Sequence, residues 1–172
     1  MLSKIPTHII CHYSEIGLKG NNRNFFEKKL KENIKNALDT HAPDSFVNIK
    51  RLRGRFLIEL TAPGQKSTSL IKEILINIFG LAYFAFAYES EPDLDVIKSD
   101  SLELMKRLKF DTFRVTARRI DSKFQYTSQE LNEIVGEVIF EQLNKSVNLK
   151  YPEATCFIDV LDEGTFLFTE KI

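Results

Sequence analysis

Apolar positions along the chain recur with two periods, and the switches between them outline the elements. His8 to Tyr13 is a short apolar run of strand length, followed by a glycine-containing loop, Gly17-Leu18-Lys19-Gly20-Asn21-Asn22. Phe26, Leu30, Ile34, Ala37 and Leu38 then return at helical spacing, and Asn24 with Glu27 three residues on is the expected N-terminal cap of that helix. Pro43 closes it. Phe46 to Arg51 and Arg55 to Leu60 predict two strands joined at Arg53-Gly54 as a hairpin. Pro63-Gly64 reads as a break, and Ser67 to Phe79 as a helix that buries Leu70, Ile71, Ile74, Leu75 and Ile78, with Gly80 at its C-terminal end. Leu81 to Tyr88 alternates as a strand does.

That order, β-α-β-β-α-β, is the pattern of a ferredoxin-like domain, expected over residues 1–90. The polar stretch Glu89-Ser90-Glu91-Pro92-Asp93 marks the boundary, because the proline blocks easy continuation of regular structure. Residues 91–172 then read α-β-α-β-β-β. Asp95 to Leu108 is a helix and Thr112 to Arg118 a β-branched strand. Thr127 with Glu130 forms a capping box before a long helix whose core face is Leu131, Ile134, Val135, Val138, Ile139 and Leu143. Val147 to Lys150, Cys156 to Leu161 and Thr165 to Thr169 finish as strands. The fold class is α+β in two domains, with no internal repeat and no low-complexity tract.

Charge changes the picture only when it is resolved by segment. The 172 residues hold 24 basic and 24 acidic side chains, so net charge lends no support to a polyanionic partner. Residues 1–60, however, carry 11 basic against 6 acidic residues, and residues 109–128 carry 5 against 2. Two positive islands stand in a neutral-to-acidic scaffold. Cys11 and Cys156 lie in apolar runs without a CxxC or a ligand cluster, which argues against zinc and against a disulfide framework. With neither a signal-peptide h-region nor an apolar run of membrane-spanning length, the expectation is a reduced, soluble, cytoplasmic protein.

The islands coincide with candidate binding loops. Lys19, Gly20, Asn21, Asn22 and Arg23 place glycine, amides and two cations at the start of a helix, where free backbone N–H groups favour an anion such as phosphate. Arg51, Arg53 and Arg55 alternate along the hairpin and are expected on one side of it, facing a phosphate backbone. Arg118, Arg119 and Lys123 lead into the Thr127 helix start in the same way. Each pattern also fits a solvated basic surface. Phe124 has the position of a residue that staples the helix to its core, whereas Tyr126 is open to burial or to stacking on an unpaired base. His8, His12 and His41 have no nucleophile beside them, and Glu15 fits a loop anchor better than a base. GxGxxG, Walker A, HExxH and GxSxG are all missing, and no catalytic centre is identifiable.

The ordered set of motifs resembles the N-terminal half of the tRNA 4-thiouridine synthetase family, the tRNA sulfurtransferases that also serve thiamine biosynthesis in many bacteria. Tyr13-Ser14-Glu15-Ile16-Gly17-Leu18-Lys19-Gly20-Asn21-Asn22-Arg23 with Phe26-Glu27 is similar to the opening YGEhxLKGxNRxxFE segment, with Ser14 in place of glycine. Arg53-Gly54-Arg55 and Ile78-Phe79-Gly80-Leu81 resemble the following hairpin and strand entry. Thr112-Phe113-Arg114-Val115, Arg118-Arg119, Lys123-Phe124, Ser128, Val147-Asn148-Leu149, Pro152 and Ile158-Asp159-Val160 resemble a THUMP domain, with Gln125 where proline is common and Asp159 where glutamate is common.

The resemblance implies a ferredoxin-like domain followed by a THUMP RNA-binding domain that together grip the acceptor stem and 3′ end of tRNA. Lys19, Asn21, Asn22, Arg23, Arg53, Arg55, Arg118, Arg119, Lys123 and Tyr126 are the RNA contacts it suggests. It further implies a downstream ATP-pyrophosphatase domain, with an SGGxDSP loop, that adenylates and thiolates uridine 8. ATP belongs there, and this chain is expected to hold no cofactor and no metal. A homodimer through the complete enzyme is compatible with it. Two alternatives stand beside this reading: a stand-alone THUMP adaptor acting in trans, and a phosphate- or nucleotide-binding ferredoxin-like regulatory module.

Overall fold

The computed structural model describes residues 1–14 and 20–172, with the side chain of Asn21 excepted. It divides into two compact units, Ile5–Ala87 with Lys171–Ile172, and Tyr88–Glu170 with Met1–Lys4. The termini therefore depart from a simple cut at residue 90. Leu2 is 2% exposed within the core of the second unit, and Ile172 exchanges two backbone hydrogen bonds with Phe84 in the first, of 2.8 and 3.0 Å. Buried apolar side chains and ladder hydrogen bonds, not sequence proximity, decide which core a terminus joins.

In the first unit the order is β1 (His8–Tyr13), α1 (Asn21–His41), β2 (Phe46–Leu52), β3 (Arg55–Leu60), α2 (Ala62–Lys66), α3 (Thr68–Ile76) and the first part of β4 (Leu81–Ser90). The strands run β2-β3-β1-β4, all antiparallel, with Ile9 opposite both Ile58 and Phe86. Ile9, Cys11 and Tyr13 on one face of β1 meet Leu30, Ile34 and Leu38 of α1 and Ile71 and Leu75 of α3, which are all buried. This is the expected ferredoxin-like arrangement, built on the expected stripe, except that Leu70 is 43% exposed.

One element differs in kind. Pro63-Gly64 lies inside the short helix α2 and does not break the chain. The Thr61 hydroxyl caps it by accepting from the Gly64 N–H at 3.1 Å, and a proline in the first turn loses no intrahelical hydrogen bond. Gly64 is required by contact: a Cβ there would stand 1.8 Å from the Ser45 carbonyl oxygen.

In the second unit α4 (Leu94–Lys106) and α5 (Ser128–Leu143) cover a sheet of Tyr88–Ser90, β8 (Gly164–Phe168), β7 (Ala154–Leu161), β5 (Thr112–Arg119) and β6 (Ser146–Val147), in that order. β5 is parallel to both β7 and β6, while β8 is antiparallel to its two neighbours. Ile97, Leu104, Met105, Leu131, Val135 and Ile139 fill the core against Phe113, Cys156, Ile158 and Val160.

Two expectations move here. Glu89 and Ser90, taken as linker, are strand residues opposite Phe166 and Thr165, and the buried Ser90 hydroxyl donates to Asp100 at 2.7 Å. Polar composition therefore does not mark the end of the ladder. The strand expected over 147–150 ends at Val147, because the Asn148 side chain accepts from the Lys150 and Tyr151 N–H groups and turns the backbone away. Among the described residues no helix is long and apolar enough to cross a membrane.

Candidate nucleic-acid interface

The first island is assembled around one carboxylate. α1 begins at Asn21 after Gly20, whose φ of 59° occupies the left-handed region, and no side chain caps it. The expected cap of Asn24 with Glu27 is therefore overturned: the cap position falls four residues earlier, at Gly20, and both side chains are used elsewhere. Glu27 is 6% exposed, accepts a short hydrogen bond from the Tyr13 hydroxyl, and accepts from Arg23 Nε at 2.8 Å. The Arg51 guanidinium lies 3.4 Å from its other oxygen and donates to Asn24 at 2.6 Å. Burial pushes the Glu27 carboxyl up, but Tyr13, Arg23 and Arg51 outweigh it and hold it below the usual carboxylate range. Burial and the Glu27 hydrogen bond push the Tyr13 hydroxyl up to about 12, so it stays a donor.

Arg23 and Arg51 are thus held at the surface in fixed directions, beside the exposed Asn22 and the exposed Arg53 at the hairpin turn. Gly54 makes that turn with φ 78°. Arg55 does not join them. In the hairpin register Arg51 faces Phe56 and Leu52 faces Arg55, and directly opposed residues point to the same side. Arg51 therefore shares the α1 side with Phe56, whereas Arg55 points to the other face and is 4% exposed. The expectation of three arginines on one side fails because reversal at the turn ends the alternation of a single strand. Glu15 and Lys19 lie outside the described residues, as does the side chain of Asn21.

The second island sits where β5 hands over to α5. Arg118, Arg119 and Lys123 are all exposed. The loop is braced from within: the Arg119 N–H donates to Ser128 Oγ at 2.9 Å, its guanidinium to the Phe124 carbonyl at 3.2 Å, and the Lys123 N–H to Asp121 at 2.8 Å. Thr127 and Glu130 form the expected capping box, and the Thr127 backbone N–H, with its hydroxyl and the nearby Arg119, keeps the Glu130 carboxyl low. Phe124 is buried as a staple. Tyr126 is half-buried, packs against the core and lies 5.9 Å from the Phe124 ring.

Three features went unread in the sequence. Arg114 donates to the Leu149 carbonyl at 3.1 Å and ties β5 to the segment after β6, and Asn132 accepts from the Ala117 N–H at 2.7 Å and ties α5 to β5. Phe25 and Phe79 are 74% and 94% exposed. The first two had no pattern to find them by, while Phe25 was detectable as an aromatic off the α1 stripe.

The chemistry offered is electrostatic: exposed and half-exposed cations near a helix start in each unit, of which Arg23, Arg51 and Arg119 are held by internal hydrogen bonds. Residues 8–85 match the model of the ThiI ferredoxin-like domain and residues 91–170 that of the THUMP domain. A probable tRNA sulfurtransferase of Coxiella burnetii is 36% identical over 95% of the chain, and one from Natranaerobius thermophilus 32% identical over 96%. The chain spans 41% of the length of each of these relatives. Among solved structures, PH1313 from Pyrococcus horikoshii Ot3 is 31% identical and superposes with a TM-score of 0.85 over 96% of this chain and 54% of that one. A 4-thiouridine synthetase solved as an RNA complex with bound ATP is 28% identical, with a TM-score of 0.77 over 97% of this chain and 42% of that one. With two consecutive domain matches in this order and sulfurtransferase relatives aligned along nearly all of its length, the chain belongs to the tRNA sulfurtransferase family, of which it represents the N-terminal ferredoxin-like and THUMP part.

Proposed function

We propose that this chain is a tRNA-binding unit that grips the acceptor stem and 3′ end and presents uridine 8 to an ATP-pyrophosphatase sulfurtransferase domain, which makes 4-thiouridine. The observation that carries the reading is the pair of braced basic loops, Arg23 with Arg51 and Arg53 in one domain and Arg118, Arg119 and Lys123 in the other. Supporting it, the structural relative solved with RNA aligns over 97% of this chain. A single-stranded end offers phosphates and unstacked bases, which pre-oriented cations hold without a deep pocket. Lys19, Asn21 and Asn22 complete the first contact loop. In this proposal ATP and the sulfur chemistry belong to the catalytic domain, acting in the cytoplasm, and the sulfur also serves thiamine synthesis.

The test is a titration of the chain with a short RNA stem bearing a CCA-like 3′ overhang and with its blunt counterpart, across a range of salt. The overhang form is expected to bind tighter. Each phosphate contact removed lowers the slope of log affinity against log salt by about 0.7 to 0.9. Arg23→Ala and Arg119→Ala combined should accordingly lower it by about twice either alone. Equal binding of the two RNAs, or a wild-type slope in the double variant, would overturn the reading.

A further inference from the structure

We propose that Phe25 and Phe79 form a base-stacking platform on the ferredoxin-like domain, taking unpaired nucleotides of an RNA whose phosphates face Arg23, Arg51 and Arg53. The inference rests on the RNA-binding reading above and assigns it a second kind of contact.

Only three of the fourteen phenylalanines are exposed, and two of them, Phe25 and Phe79, belong to this domain. Neither sits on a loose segment. Phe25 stands in α1 between Asn24, which is bonded to Arg51, and Phe26, which packs against the core. Phe79 lies between Ile78, also packed against the core, and Gly80, whose carbonyl accepts from the Ser14 N–H at 3.3 Å. Gly80 has φ 101° and approaches the Phe26 ring so closely that a Cβ would stand 3.1 Å from it. Backbone anchored on both sides thus presents each ring to solvent, whereas a residue exposed for want of packing would sit in a segment with few such ties.

The two residues stand at one end of the domain, where α1 begins, β4 begins and the hairpin of β2 and β3 turns. Gly80 touches Phe26, Tyr13 and Arg23 both bond to Glu27, and Arg51 reaches Glu27 and Asn24. Glu27 holds both guanidiniums, and Arg53 adds an exposed cation at the neighbouring turn. Rigid aromatic faces interleaved with cations match a strand that alternates planar apolar bases with anionic phosphates.

The experiment uses the full chain and the stem RNA with a 3′ overhang carrying 2-aminopurine, beside the blunt stem. Phe25→Ala and Phe79→Ala should each weaken overhang binding by about 5- to 150-fold, the range expected for loss of one stacked base. The salt slope should not change, since no charge is removed, and blunt-stem affinity should hold. Phe79→Trp should retain overhang binding and the quenching of 2-aminopurine, while Phe79→Leu, apolar but without a stacking face, should lose both. That comparison stands even if an alanine variant folds poorly. Undiminished overhang affinity in both alanine variants, or equal losses for overhang and blunt RNA, would overturn the platform while leaving the RNA-binding reading intact. Failure of the parent chain to bind either RNA would overturn both.

Discussion

At Glu27 a single buried carboxylate organises a tyrosine and two arginines, so its removal should be felt in both stability and binding. Glu27→Gln keeps the shape but removes the negative charge that Arg23 and Arg51 share, and should cost about 1.5 to 3 kcal/mol at neutral pH. The sign of the pH dependence follows from the direction of the shift. Because the folded carboxyl titrates below its ordinary value of 4.5, its contribution is present above that value and is lost as pH falls through the folded one. Denaturant unfolding should therefore show the gap between wild type and variant closing as the solution is acidified below 4.5. Gly64 is constrained differently. Gly64→Ala drives a methyl into the Ser45 carbonyl and should destabilise the first domain by about 1 to 3 kcal/mol, measurable by the same unfolding curves. Cys11 and Cys156 are fully buried with thiols pushed up to about 12 by burial, so alkylating reagents should modify them only on unfolding, and native labelling would contradict the packing.

Two helix starts carry the same sequence signal and only one is a cap. Thr127-x-x-Glu130 closes as a capping box, and Thr127→Ala should cost about 1 kcal/mol, with faster amide exchange confined to the first turn of α5. Asn24-x-x-Glu27 has the same spacing, yet α1 starts at Asn21 and Glu27 turns inward to Tyr13. The helices themselves were legible because their apolar spacing reports a face, and burial of that face is what tertiary structure rewards. Which residue ends an element was not, since a cap competes with every other partner the side chain can reach. The hairpin shows the same division: both strands were readable, but the sides taken by Arg51 and Arg55 depended on the pairing register across the turn. Arg55→Ala is accordingly expected to destabilise the first domain, unlike Arg53→Ala, which should leave its unfolding midpoint unchanged.

The molecule is two cores whose membership crosses the order of the chain. Leu2→Ala should destabilise the second domain by about 2 to 5 kcal/mol although residue 2 stands at the far end of the sequence from it. Removing Lys171 and Ile172 should instead loosen β4 around Phe84. Hydrogen exchange read separately over the amides of each unit tests both, and protection lost in the unit nearest in sequence would refute the assignment. Apart from the short helix α2, the order of strands and helices, with the two positive islands and the family, was determined by the sequence alone. Periodicity, segment charge and motif spacing are local properties, and a reader of one dimension has them in full. Only the tertiary structure decided that Glu27 is the hub of the first island, that Arg55 is withdrawn from it, that Tyr126 is packed, and that Phe25 and Phe79 are held in the open. Each of those outcomes depends on which distant residue arrives beside the side chain, and burial, charge compensation and hydrogen bonding are set by that neighbour rather than by position along the chain.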